Sequence, residues 1–176
     1  MQRKTALIYS DDFIHYSYGP EHPFKGQRYL LAYELMRAYG LTGLPGSKIC
    51  DGRPISEEDL LTFHTPEYLA KLKEFSTSPE PRADFRFGLG DLENPVFPGL
   101  FDWACVGAAG TVEAARLVAE EGYDIAFNPV GGWHHAHLGK ASGFSYLNDA
   151  VIAINWLLKR GKRVAYLDID SHHGDG

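Results

Sequence analysis

Cysteine is scarce in this 176-residue chain. Cys50 and Cys105 form neither a CxxC pair nor a framework of bridges, so a reducing compartment is the default expectation. Long apolar runs are missing as well. No stretch approaches the roughly 20 residues that a membrane span needs, and the first ten residues, Met1 to Ser10, hold too short an apolar run for a secretory signal. Both absences predict a cytoplasmic chain with no membrane attachment. Basic charge is not in excess: 17 Lys and Arg stand against 23 Asp and Glu, a formal charge of −6. That balance argues against a nucleic-acid partner, which calls for a basic stripe. No internal repeat, linker or low-complexity segment interrupts the chain, so no domain boundary is expected within residues 1–176.

What is present is the composition of a folded domain, 44% hydrophobic and 13% aromatic. Thr5–Tyr9 reads as a first strand. Gln27 to Tyr39 carries Leu30, Leu31, Leu35 and Met36 at helical spacing and stops at Gly40, a natural residue just past a helix end. Leu41 to Pro54 reads as loop, punctuated by Gly43, Pro45, Gly46 and Gly52. Ser56 and Asp59 form a variant capping box that opens a short helix through Phe63. Thr65-Pro66-Glu67 opens another, running to about Phe75. Ser76 to Pro98 is irregular and long enough to suggest a functional surface loop. Gly99 to Glu121 is a long helix whose small residues predict close packing against a sheet. Asp124–Val130 and Arg163–Leu167 read as buried strands on either side of a helix from Ala150 to Lys159. Strand, helix and strand predict one right-handed parallel crossover, and with it an α/β fold.

Chemistry concentrates after the last two strands. Gly131-Gly-Trp-His134-His135-Ala-His137 follows one, and Asp168-Ile-Asp170-Ser-His172-His173-Gly-Asp175-Gly176 follows the other. A crossover would set these clusters side by side at the carboxyl ends of the strands, where open α/β sheets bind ligands. Asp170 and His172, two residues apart, point the same way in extended backbone and suit a borderline divalent metal such as zinc. Asp168 shares that face as a supporting carboxylate. A hydrogen-bond network without metal is the alternative, and two protein ligands are one short of a catalytic zinc site. His134 and His135 are too close in sequence to chelate one ion comfortably. They suit a pair of acid/base groups, with Asp168 and Asp175 as the available carboxylates for their far nitrogens.

Those residues resemble the zinc-dependent histone deacetylase family. The match runs through Gly131-Gly-Trp-His-His-Ala136, Ala141-Ser-Gly-Phe-Ser-Tyr-Leu-Asn-Asp149 and Asp168 to Gly176. It extends through His22-Pro-Phe-Lys-Gly-Gln-Arg28, Phe63-His-Thr-Pro-Glu-Tyr68 and Glu93-Asn-Pro-Val-Phe-Pro-Gly-Leu-Phe101, with bacterial members such as the acetoin-utilisation deacetylases most alike in the loops. The resemblance implies an arginase-like α/β fold, a parallel β-sheet flanked by helices on both faces. It also implies hydrolysis of the acetyl amide of acetyl-lysine, an acetylated polyamine or another small acetylated amine. By the same resemblance, Asp170 and His172 match zinc ligands, and His134 and His135 match paired catalytic imidazoles partnered by Asp168 and Asp175. Asp168, Asp170 and the backbone of His172 match a site for a monovalent cation, usually potassium. Gly143 and Phe144 match the wall of the acyl-lysine channel, Arg28 an inner-channel arginine and Glu93 a rim acid that is usually Asp. Ser145 replaces a common Cys, and His173 reads as structural.

In the family pattern, the third zinc ligand, an Asp, and a transition-state Tyr lie beyond the position matching Gly176. The resemblance therefore makes residues 1–176 the N-terminal portion of a single deacetylase-like domain, incomplete at its C-terminus and inactive alone. A non-catalytic remnant or interaction module, and a manganese ureohydrolase of the same fold, are the competing readings.

Overall fold

The computed structural model describes residues 3–15, 17–78 and 82–176. Its sheet has three parallel strands in the order β2-β1-β3, formed by β1 (Thr5–Ile8), β2 (Ser47–Cys50) and β3 (Ile125–Phe127). Thr5 faces Ser47 on one side and Ile125 on the other. Around the sheet stand α1 (Gln27–Ala38), α2 (Glu57–Leu60), α3 (Pro66–Ser76), α4 (Leu100–Glu120) and α5 (Asp149–Leu158). The parallel sheet with helices agrees with the expected fold class.

Local chemistry explains several helix ends. The Ser56 hydroxyl accepts the Asp59 N–H at the start of α2, and Thr65 accepts the Tyr68 N–H at the start of α3. Gly40 follows α1 at φ +72°, a conformation costly for any residue with a Cβ. The small face of α4 (Gly107, Ala108, Ala109 and Gly110) is buried. A Cβ at Gly107 would lie 3.1 Å from the Trp133 indole nitrogen, and one at Gly110 would lie 2.8 Å from the Asn128 amide. The small residues thus admit the loop after β3 as well as the sheet.

The main core lies between α3, α4 and α5, built from Tyr68, Leu69, Leu72, Leu100, Trp103, Tyr146 and Ile152. A smaller one, Ala6, Ile8, Leu117 and Tyr123, joins α4 to one face of the sheet. On the other face, Met36 and Leu41 border a cavity of about 180 Å³ with Thr5, Leu7, Ile125 and Phe127.

Three expectations are corrected. Ser47–Cys50 pairs with β1 although it falls in a predicted loop: four residues between glycines carry too short a pattern to show. The strand expected over Asp124–Val130 shrinks to three residues and is half exposed, Ile125 at 45% and Phe127 at 51%. Among the described residues it has a neighbour on one edge only. Arg163–Leu167 forms no strand at all among the described residues, and Leu167 is 83% exposed. The parallel crossover is therefore not made. Instead, a cavity of about 760 Å³ separates Ala126 and Asn128 from Tyr166, Leu167 and Asp168. Within the irregular stretch Ser76–Pro98, residues 79–81 lie outside the described part; the remainder holds a short 3₁₀ turn, Phe85–Phe87, closed by Asp84 pairing with Leu89.

Candidate active site

Two segments converge without a strand ladder between them. The loop after β3 carries His134 and His135 on Gly131-Gly132, and the C-terminal segment brings Asp168 to Asp175 against it. Nδ1 of His134 lies 2.7 Å from Asp168, and Nδ1 of His135 lies 2.7 Å from Asp175. The two rings are stacked aslant, 4.2 Å between centroids. The Gly176 N–H donates to the His134 carbonyl at 3.0 Å. These bonds tie down a segment that is otherwise exposed.

The electrostatics fix the tautomers. Asp168 is held down at about 2, first by the hydrogen bond with His134 and then by the Asp170 N–H. The Tyr166 hydroxyl also donates to it. Asp175 is lowered chiefly by its bond with His135. Both carboxylates are ionised acceptors at neutral pH, so each neutral imidazole carries its proton on Nδ1 and leaves Nε2 bare.

Asp170 and His172 sit beside this pair. One Asp170 oxygen accepts both the His172 N–H and its Nδ1–H, each at 2.7 Å, and these bonds lower the Asp170 pKa. Oδ1 of Asp170 and Nδ1 of His172 thus face each other, two donor atoms converging where a cation could take the place of the shared proton. Among the described residues, no three His, Cys, Asp or Glu side chains gather as a metal-binding group. The donor pair, one carboxylate and one imidazole, fits zinc as two of its ligands.

A cavity of about 570 Å³ joins these groups. His134, His135, Asp170, His172 and Asp175 line it together with Gly143, Phe144, Glu93 and Arg28. Asp168 lies behind His134 and Asp170, in the neighbouring cavity. His173 lines neither cavity; its carbonyl accepts the Asp175 N–H at 3.0 Å. Gly143 and Phe144 are the centre of a tight turn closed by mutual bonds between Ser142 and Ser145, with φ of +48° and +70°. Only glycine suits the first position, because a Cβ there would sit 2.5 Å from the His135 ring. Phe144 is the one described residue other than glycine with positive φ. Tyr18 holds it there by donating to its carbonyl at 2.6 Å, while the His22 ring meets the phenyl edge-on. Strain held by its surroundings is typical of ligand-contacting positions.

Sequence reasoning assigned no site role to Tyr18, His22, His64, Thr111, Asn128, Asn148 or Asp149. His22 accepts the Phe24 N–H at Nδ1 and so donates from Nε2 to the Glu93 carbonyl, at 3.2 Å, joining the rim to the Phe144 turn. His22, His64, Asn148 and Asp149 lie within recognisable motifs, but their contacts are tertiary and carry no local sequence signal.

Comparison with known proteins decides the family. Residues 22–176 match the histone deacetylase domain. The chain belongs to the histone deacetylase family. It is 41% identical to histone deacetylase B of Dictyostelium discoideum over 177 residues, covering 98% of this chain and 41% of that protein. It is 38% identical to histone deacetylase RPD3 of Saccharomyces cerevisiae, covering 99% and 40%. The crystal structure of a histone deacetylase homologue from Aquifex aeolicus superposes with a TM-score of 0.85 at 34% identity, covering 99% of this chain and 46% of that one. The chain thus spans about two fifths of the length of these curated relatives. No helix among the described residues is long and apolar enough to cross a membrane.

Proposed function

We propose that this chain carries the histidine-aspartate half of a metal-dependent deacetylase site, as the N-terminal portion of a single domain spanning residues 1–176 and more. The substrate is the acetyl amide of a lysine, polyamine or similar small amine, and the protein works in the cytoplasm without a nucleic-acid or membrane partner. The observation that carries this reading is the meeting of His134, His135 and Asp175 with Asp170 and His172 in one cavity, with Asp168 bonded to His134 from behind. Family membership favours it over a ureohydrolase.

In this reading His134 and His135 are the catalytic acid/base pair. Each bare Nε2 can take a proton from a water attacking the acetyl carbonyl or, once protonated, give one to the departing amine. Asp168 and Asp175 orient the rings and stabilise their cationic forms. Phe144 and Gly143 flank the methylene stem of the substrate, where burial of apolar surface contributes binding, and Glu93 meets its cationic flank at the rim. Asp170 and His172 would hold zinc, and the Asp168 and Asp170 oxygens with the His172 backbone would hold a potassium ion. Bound zinc supplies Lewis acidity that makes a water nucleophilic near neutral pH.

The test is acetate release from acetyl-lysine peptides and N-acetylated polyamines by the full-length gene product. His135→Ala should lower kcat by about 10²- to 10⁴-fold with one zinc bound per chain. Unchanged turnover in His135→Ala would sink the assignment, and two manganese ions per chain would favour the ureohydrolase.

A further inference from the structure

The two residues at the start of α5 bracket the histidine pair. Ahead of it, the Asp149 carboxylate accepts the Trp133 N–H at 2.8 Å and the Gly132 N–H at 3.0 Å. Behind it, the Asn148 amide donates to the Ala136 carbonyl at 3.1 Å. Both anchors are buried, at 1% and 2% exposure. From this juxtaposition we infer that Asp149 is the positioning residue of the histidine pair, with Asn148 as its second point of attachment. The inference rests on the catalytic reading of His134 and His135.

The chemistry of Asp149 supports it. A buried carboxylate costs several kcal/mol unless it is well paired, and burial pushes this one up from the ordinary range. Its hydrogen-bond partners among the described residues are all neutral: Gly132 N–H, Trp133 N–H and the Thr111 hydroxyl. The first turn of α5 adds the favourable end of a helix dipole. Helix capping does not require this acid, because the Asn148 side chain already accepts the Val151 N–H. What the carboxylate secures is the Gly131-Gly132 backbone, the most pliable part of the loop. Gly131 fits only as glycine, since a Cβ would lie 2.6 Å from the Thr111 hydroxyl and 2.7 Å from Asp149.

The anchors are themselves anchored. Asn128 donates to Thr111 at 2.9 Å and to the Gly107 carbonyl at 3.0 Å, fixing the hydroxyl that serves Asp149. On the other side, His64 accepts the Asn148 N–H at 3.0 Å and donates to the Leu138 carbonyl at 3.3 Å. The bracket thus transmits the rigidity of α4 and α5 to two imidazoles whose Asp partners lie on an exposed segment.

The test uses the zinc-loaded full-length protein and reads imidazole NMR alongside kinetics. Wild type should show two downfield Nδ1–H resonances, from His134 and His135. Asp149→Ala, with its secondary structure intact by circular dichroism, should lose them and lower kcat about 10- to 100-fold with little change in KM. Asp149→Asn keeps one acceptor for the Trp133 N–H and should restore most of both. Should Asp149→Ala fail to fold, Thr111→Val decides, with Thr111→Ser as its rescue. Retention of both resonances and of kcat in a folded Asp149→Ala, or in Thr111→Val where that variant decides, overturns the proposal. Wild-type protein without acetate release would defeat the deacetylase reading instead, because the resonances are read without turnover.

Discussion

The two halves of the site are held in opposite ways. His134 and His135 ride on a loop fixed from behind by buried groups on α4, α5 and the α2–α3 connection. Asp168 to Asp175 have no ladder bonds among the described residues; Ile169 is 88% exposed and the His172 side chain 73%. That segment is located by the side chains it offers to the histidines, by the Gly176 N–H and by hydrogen bonds within itself. Within residues 1–176, the bonds to the imidazoles are what positions Asp168 and Asp175.

An acid titration should separate the two halves. His64 is 2% exposed, and burial lowers its pKa from 6.5 to about 4. Its folded form is neutral, because protonated Nε2 would face the Asn148 N–H. A base depressed in the folded state leaves the unfolded chain binding more protons, so its stability contribution is whole above about 6.5 and fades as pH falls towards 4. The total is on the order of 3 kcal/mol. Thermal melts of the wild type across that window should show the slope, and His64→Phe should abolish it. Persistence of the slope in His64→Phe would move the effect to other groups. Asp168, lowered from 3.8 to about 2, acts further down: its contribution stands above about 3.8 and is lost as pH falls towards 2. Because the histidine loop holds the C-terminal segment, hydrogen exchange at Asp170 and Gly176 should rise with that of the loop as pH falls from 6.5 towards 4, and rise again below 3.8.

Packing around the glycines gives a second and smaller effect. Gly131→Ala forces a methyl against Thr111 and Asp149 and should cost about 1–3 kcal/mol by denaturant unfolding, as overpacked sites do. A melt unchanged from wild type would mean that the loop shifts freely and that the bracket is soft.

Much of this was legible in the sequence where the signal is local. The caps at Ser56 and Thr65, the Gly40 stop and the small face of α4 follow from chemistry within a few residues. The pairing of each histidine with its own aspartate was expected from motif resemblance, and both contacts are present. Two kinds of feature were not legible. Arg163–Leu167 has the pattern of a buried strand, but a strand needs a partner edge, and β3 is separated from it by an open cavity. The bracket at Asn148-Asp149 is a tertiary arrangement joining residues 12 to 84 positions apart. To local pattern reading, an Asn-Asp pair before an apolar run is only a helix start.

The smallest predicted effect is the most discriminating for the contrast between the halves. Leu167 is large and apolar, and its run reads as core, so a buried strand would make Leu167→Ala cost about 2–5 kcal/mol. The structure places it 83% exposed, where truncation of a surface side chain changes stability by less than about 0.5 kcal/mol. Denaturant midpoints of the 176-residue chain decide between these outcomes. A loss of several kcal/mol would show that Arg163–Leu167 is packed against the rest of the fold. The histidines would then no longer be what positions Asp168 and Asp175, because a buried strand would hold those carboxylates in its own right.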